Sequence, residues 1–242
     1  MQVTLVDGDA DVVAALRACF ADRPAIEVVR GSILEREVDA WALPARPDGA
    51  LDAAVAGALG PRTADALRRA FSAHGGALPL GHAACVPSER RWPRFVIATA
   101  APSASDETPA PLCVALAVGA ALQAVHAQNA ARPRSIESVA LPSFGAGTGL
   151  SAEASAELTW TAYELFRAAH LPDPATLRAA LERLLSGAEP ASGPGAYKRS
   201  YEQSSRTAKE TLPDNAAAQA QLKMRMDRAR RDTPGESADD DE

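Results

Sequence analysis

The stretch Ser143-Phe144-Gly145-Ala146-Gly147-Thr148-Gly149 places three glycines and two hydroxyls within seven residues. It follows an apolar run, Ser138-Val139-Ala140-Leu141, that reads as a buried strand, and it precedes a long helical pattern over 152–168. A strand, a glycine-rich turn and a helix in that order suit phosphate. Amides at the turn and at the helix start have no intrahelical partner, and the helix dipole adds positive potential. Glycine lets the backbone approach a ligand closely and adopt positive φ. Thr148 could add a hydroxyl donor. No Lys follows Gly149, so this is not a Walker-A loop. It also lacks GxGxxG spacing and lies late in the chain, which weakens a dinucleotide reading. Taken alone, the loop reads equally well as a tight strand-to-helix turn.

Other chemistry is sparse. His74, His82, His126 and His170 show no metal-ligand spacing, so no metal is expected. Ser143 is not framed as a Gly-x-Ser-x-Gly elbow. Cys19, Cys85 and Cys113 lie far apart with no CxxC, which reads as reduced, buried thiols and a cytoplasmic setting. Nothing near Cys85 or Cys113 in sequence would depress a thiol pKa. Trp41 falls inside an expected strand and reads as core.

The elements that would carry the loop alternate strand and helix. Strands are expected over 3–7, 26–30, 39–43 (closed by Pro44), 82–86, 95–99 and 138–141. Helices are expected over 11–20, over 51–71 with a break at Gly60-Pro61, and over 112–127, 152–168 and 175–185. That alternation predicts an α/β layered fold with a mixed, mainly parallel sheet. No repeat of solenoid period occurs.

Hydrophobic residues make up 47% of the 242, enough for a core, and aromatics only 5%, so the core must be mostly Ala, Val and Leu. The formal charge of −6 argues against nonspecific nucleic-acid binding, whose affinity comes from Lys and Arg neutralising phosphates. No basic leader precedes an apolar run, and no segment is read as approaching the ~20 apolar residues of a membrane helix. Composition shifts near Gly187. The reading is one domain over 1–186, then a linker over 187–195 and a polar, largely disordered tail to 242. The tail holds a possible basic helix over 215–231 and an acidic end, Asp239-Asp240-Asp241-Glu242, and is a candidate partner-binding segment.

Several separated segments, in order, resemble the macro domain family. Val28-Val29-Arg30-Gly31-Ser32-Ile33 resembles its strand ending in Gly-Asp-Ile. Val38-Asp39-Ala40-Trp41-Ala42-Leu43-Pro44-Ala45-Arg46 resembles its Val-Asp-Ala-Ile-Val-Asn-Ala-Ala-Asn segment. Gly49-Ala50-Leu51-Asp52-Ala53-Ala54-Val55 resembles the loop and helix start that follow. Gly76-Ala77-Leu78-Pro79-Leu80-Gly81-His82-Ala83 and 139–149 complete the match, which covers about residues 1–170.

The resemblance implies a three-layer α/β/α sandwich binding ADP-ribose, free or on a modified macromolecule, in a cleft at the strand ends, with no cofactor. It places Ser32, with Ile33 beside it, at the adenine, Arg46 and Asp52 at the distal ribose, and Ser143, Gly145, Ala146, Gly147, Thr148 and Gly149 at the diphosphate, while Phe144 would either flank a ligand ribose or base or simply pack. Two positions depart from the pattern. Ser32 replaces the adenine-contacting Asp with a shorter, uncharged acceptor. Arg46 replaces an Asn that both donates and accepts with a larger group that only donates. Arg46 would clamp an anion, fill the pocket or simply stand at the surface. Asp52 is the remaining acid–base candidate; the same position also suits a helix-start carboxylate.

Three functions follow. The favoured one is a divergent module binding ADP-ribose or a related nucleotide diphosphate. The second is a hydrolase of ADP-ribosyl or O-acyl-ADP-ribose conjugates using Asp52. The third is a degenerate macro fold that works through its tail.

Overall fold

The computed structural model describes residues 1–46, 48–100, 108–169 and 174–186. One unit spans Met1–Tyr201; a second, Glu202–Glu242, lies wholly outside the described residues. The expected linker, basic helix and acidic end fall outside them too.

Thirteen elements follow one another among the described residues. They are β1 (Gln2–Asp7), α1 (Ala10–Cys19), β2 (Ile26–Arg30), a 3-10 turn (Ile33–Glu35), β3 (Ala40–Ala45), α2 (Ala53–Leu59), α3 (Pro61–Ser72), β4 (Ala83–Pro87), β5 (Phe95–Ala100), α4 (Ala110–Ala131), β6 (Ser138–Pro142), α5 (Ala152–Ala169) and α6 (Pro174–Ser186). The strands form one sheet in the order β2-β1-β6-β3-β5-β4. All neighbours are parallel except β4 and β5. The mixed, mainly parallel sheet is therefore as the alternation predicts.

Period-two burial explains the three layers. In β3, Ala40 and Ala42 face one core, shared with Leu16, Leu116, Leu122, Leu158 and Leu181 of α1, α4, α5 and α6. Trp41, Leu43 and Ala45 face the other, shared with Leu59, Leu67 and Phe71 of α2 and α3. Helices thus cover both faces, as buried parallel strands require.

Local chemistry sets the ends. Asp9 caps α1, its carboxylate accepting from the amides of Asp11 and Val12. Gly60, at φ 85°, ends α2, and Pro61 opens α3, so the expected long helix breaks where the Gly-Pro pair dictates. Pro44 does not close β3, contrary to expectation. The strand runs through it to Ala45, pairing with β5 at Pro44↔Thr99.

A second expectation is corrected. The 22-residue α4 has a mean hydropathy of 1.7 over its most apolar window, long and apolar enough to cross a membrane; 67% of that window is buried inside the fold. Alanines diluted the apolar signal in the sequence, and the helix carries no polar face because it packs against β4, β5, α5 and α6.

Candidate functional site

Parallel strands gather their carboxyl ends on one edge, where loops form crevices. Here the sheet parts between β3 and β6. Those strands pair only at Ala40↔Val139 and Trp41↔Ala140, whereas β1 and β6 pair from Gln2↔Ser138 to Val6↔Pro142. Beyond the split stand two prolines, Pro44 and Pro142, which have no amide to offer a neighbouring strand.

A cleft of about 320 Å³ opens at this edge. Its walls are Val6, Asp7 and Gly8 at the end of β1, Gly31 and Ile33 after β2, and Leu43 and Pro44 of β3. Leu51, Asp52 and Val55 at the start of α2 and Pro142, Ser143 and Ala146 after β6 complete it. The size is that of a small-ligand site. The walls are mainly apolar. Among the described residues, Asp7 and Asp52 are the only charged ones that line it and none is a cation, so the donors they offer an anion are amides.

The glycine loop is turned back on itself. Thr148 donates both its amide and its hydroxyl to the Gly145 carbonyl, at 3.2 and 2.6 Å. The hydroxyl that the sequence offers to a phosphate is thereby engaged within the loop. Gly145 donates to Ser143 Oγ at 3.4 Å. Gly145 is glycine for packing: a Cβ there would meet Ser155 Oγ of α5 at 2.1 Å and its Cβ at 2.7 Å. Gly147, at φ 75°, has open space around it and is glycine for conformation. Among the described residues, the amides of Ala146 and Gly147 donate to no protein acceptor. Phe144 packs partly buried against the α4–α5 core.

The other expected positions separate. Ile33, Asp52, Ser143 and Ala146 come together at the cleft; Phe144, Gly145, Gly147, Thr148 and Gly149 flank it without lining it. Ser32 sits between two lining residues, Gly31 and Ile33, and its Oγ accepts from the Leu34 amide at 3.2 Å, capping the 3-10 turn. Asp52 caps α2, Oδ1 accepting from the Ala54 amide at 2.9 Å. Arg46 is 75% exposed, with Nε 3.7 Å from Asp48. Its backbone closes a tight turn, Arg46 N–H to Ala50 O and Gly49 N–H to Arg46 O, both at 2.8 Å. Among the described residues no group of three or more His, Cys, Asp or Glu could hold a metal.

Sequence reasoning passed over Val6, Asp7, Gly8, Leu43, Pro44, Leu51, Val55 and Pro142. Most are ordinary strand residues, and only their place at the carboxyl ends of parallel strands marks them. It also passed over Asp39, at the opposite edge. Asp39 Oδ2 accepts from the amides of Glu137 and Ser138 at 2.8 and 3.0 Å, and Oδ1 accepts from Arg94 Nη2 at 2.6 Å. Burial alone would raise its pKa; the Glu137 amide, the Arg94 guanidinium and the Ser138 amide outweigh that and hold the carboxyl below its ordinary value. Burial pushes the Cys85 thiol up to about 11, which leaves it an unreactive thiol.

No curated protein matches the chain. Among solved structures, the Oceanobacillus iheyensis macrodomain with MES bound is 19% identical at a TM-score of 0.48, over 65% of this chain and 89% of that one. The same macrodomain with ADP gives 19% and 0.47 over 65% and 89%. The macrodomain of Mycobacterium tuberculosis DarG gives 19% and 0.43 over 57% and 89%. The family model for the macro domain matches residues 38–159, from the segment before β3 into α5, half of the chain and most of the cleft. On that match the chain belongs to the macro domain family.

Proposed function

We propose that this protein binds ADP-ribose or a related nucleotide diphosphate in the cleft between β1, β3 and β6, with the diphosphate on the Ala146 and Gly147 amides. The observation that carries this reading is a pair of amides with no acceptor among the described residues, beside an apolar, ligand-sized crevice that no described cation lines. Backbone N–H groups hold an anion without the desolvation cost of a buried side-chain charge. The apolar walls at Val6, Ile33 and Leu43 suit a base or ribose. A cytoplasmic setting is part of the same proposal.

The distal end supports binding more than catalysis. Arg46 stands out in solvent, and the turn it closes is short and self-bonded. A ligand group beyond the diphosphate therefore gains few contacts. Calorimetry on the full chain tests this. ADP and ADP-ribose are expected to bind within about threefold of each other, and AMP at least tenfold more weakly, since an energy of about 1.4 kcal/mol per tenfold is readily supplied by one charge-assisted hydrogen bond. Ala146→Trp, at an exposed cleft residue, should block all three. Absence of heat with every nucleotide at millimolar concentration would sink the reading.

A hydrolase reading rests on Asp52, whose second carboxylate oxygen has no described partner while the residue lines the cleft. Turnover of an ADP-ribosylated protein that vanishes in Asp52→Ala would support it. No turnover by the native chain removes it.

A further inference from the structure

Bases are told apart by the order of donors and acceptors along their edges, so selecting one requires a matched donor and acceptor in the site. Apolar contact is non-directional and separates similar ligands only weakly. The apolar wall of the cleft is of this second kind. Val6, Ile33, Leu43, Leu51 and Val55 all line it, and all pack on the α2–α3 face of the sheet.

The side-chain acceptors beside this wall are spent or turned away. Ser32 Oγ is occupied by the Leu34 amide at 3.2 Å, as the cap of the 3-10 turn. Asp7 follows the alternation of β1. Val3 and Leu5 face the core of α1, α4 and α5, and Val6 faces the other, so the side chain of residue 7 leaves the sheet on the α1 side. There its Oδ1 accepts from the Asp9 amide at 2.8 Å, at the start of α1. What remains at this end is donors. The amides of Gly8 and Ile33, two lining residues, have no acceptor among the described residues. Every base carries acceptors on its edge, so a lone N–H serves all of them and rejects none.

The opposite end sets no narrower limit, since Arg46 stands in solvent and its turn bonds to itself. Resting on the nucleotide reading of the cleft, we propose that its ligand class is nucleoside diphosphates of any base. The Ala146 and Gly147 amides select the diphosphate, and the apolar wall takes whichever base comes with it. Ser32 is the residue that sets this tolerance: its single oxygen is used by the turn, whereas a carboxylate there would have a second oxygen to offer a base.

Calorimetry on the full-length protein compares ADP, IDP, GDP, CDP and UDP, with pyrophosphate and UDP-glucose as probes of the two ends. The five nucleotides should bind within about threefold of one another, UDP-glucose within about threefold of UDP, and pyrophosphate about tenfold or more weakly than any of them. Ser32→Asp should add the missing discrimination. Aspartate caps a helix start as well as serine does, so the turn is kept. ADP, whose base presents an amino group, should then exceed IDP, whose base presents a carbonyl, by about fivefold or more. A native chain that binds ADP about tenfold or more tightly than the other four overturns the proposal and leaves the cleft reading standing; no binding by any nucleotide overturns both. Pyrophosphate as tight as ADP, or equal binding of ADP and IDP by Ser32→Asp, also overturns it, because the base then lies elsewhere.

Discussion

Asp39 ties the starting ends of three strands together with one side chain. Its carboxylate receives Arg94 from before β5 and the Glu137 and Ser138 amides from the head of β6, and its own carbonyl receives the amides of Arg94 and Phe95 at 2.9 Å. Hydrogen bonds to a buried charge are strong, and stripping one partner leaves the others unsatisfied. Asp39→Ala should therefore cost roughly 2–4 kcal/mol in urea unfolding. The sign with pH follows from the lowered folded value. The carboxylate's contribution is complete above its unfolded pKa, near 3.8, and is lost as pH falls through the lower folded value. The stability gap between the native chain and Asp39→Asn should accordingly be constant from pH 7 to about 5 and shrink below about 4. A gap that persists unchanged at pH 2 would show that the contribution is not ionic. In the sequence Asp39 is one polar letter at the head of a strand. Its meaning depends on residues 55 and 98–99 positions away, which no local pattern reveals.

Among elements, the contact between the glycine loop and α5 sets the most restrictive condition. Gly145 leaves no room for a methyl group against Ser155, while Gly147 leaves room but holds a positive φ. Gly145→Ala should then push loop and helix apart at about 1–3 kcal/mol, the usual cost of overpacking, whereas Gly147→Ala should cost about 1 kcal/mol through backbone strain alone. Thermal unfolding of the two variants checks the order, and a larger loss at Gly147 would refute it. Elements are also where the sequence was most legible. The Gly60-Pro61 break, the β2 strand at 26–30 and the helix start at Ala152 follow from glycine, proline and apolar period. The cleft was less so. The loop announced itself through its glycines, yet only Ser143 and Ala146 of it reach the cleft, because Thr148 and Phe144 turn toward the loop and core instead. The opposite walls come from the divergence of β3 from β6, a property of pairing that no single segment encodes.

For the whole molecule, α4 is the central support. Leu116 and Leu122 are buried on it, and α5 and α6 close over it from later in the chain. Leu116→Ala should cost about 2–5 kcal/mol, the range for a leucine removed from a close-packed core, read as a fall in the urea midpoint with unchanged slope. The order of these elements has a consequence during synthesis. A nascent chain that has reached residue 137 has already made a helix with the length and hydropathy of a membrane span, but neither α5 nor α6, which close over it. Until about fifty more residues emerge, that helix is open to insertion machinery, chaperones and other unfinished chains. A fragment ending at 137 should float with lipid vesicles or aggregate, and the full chain should do neither. What conceals α4 is therefore packing that is complete only once α5 and α6 have followed it in the chain.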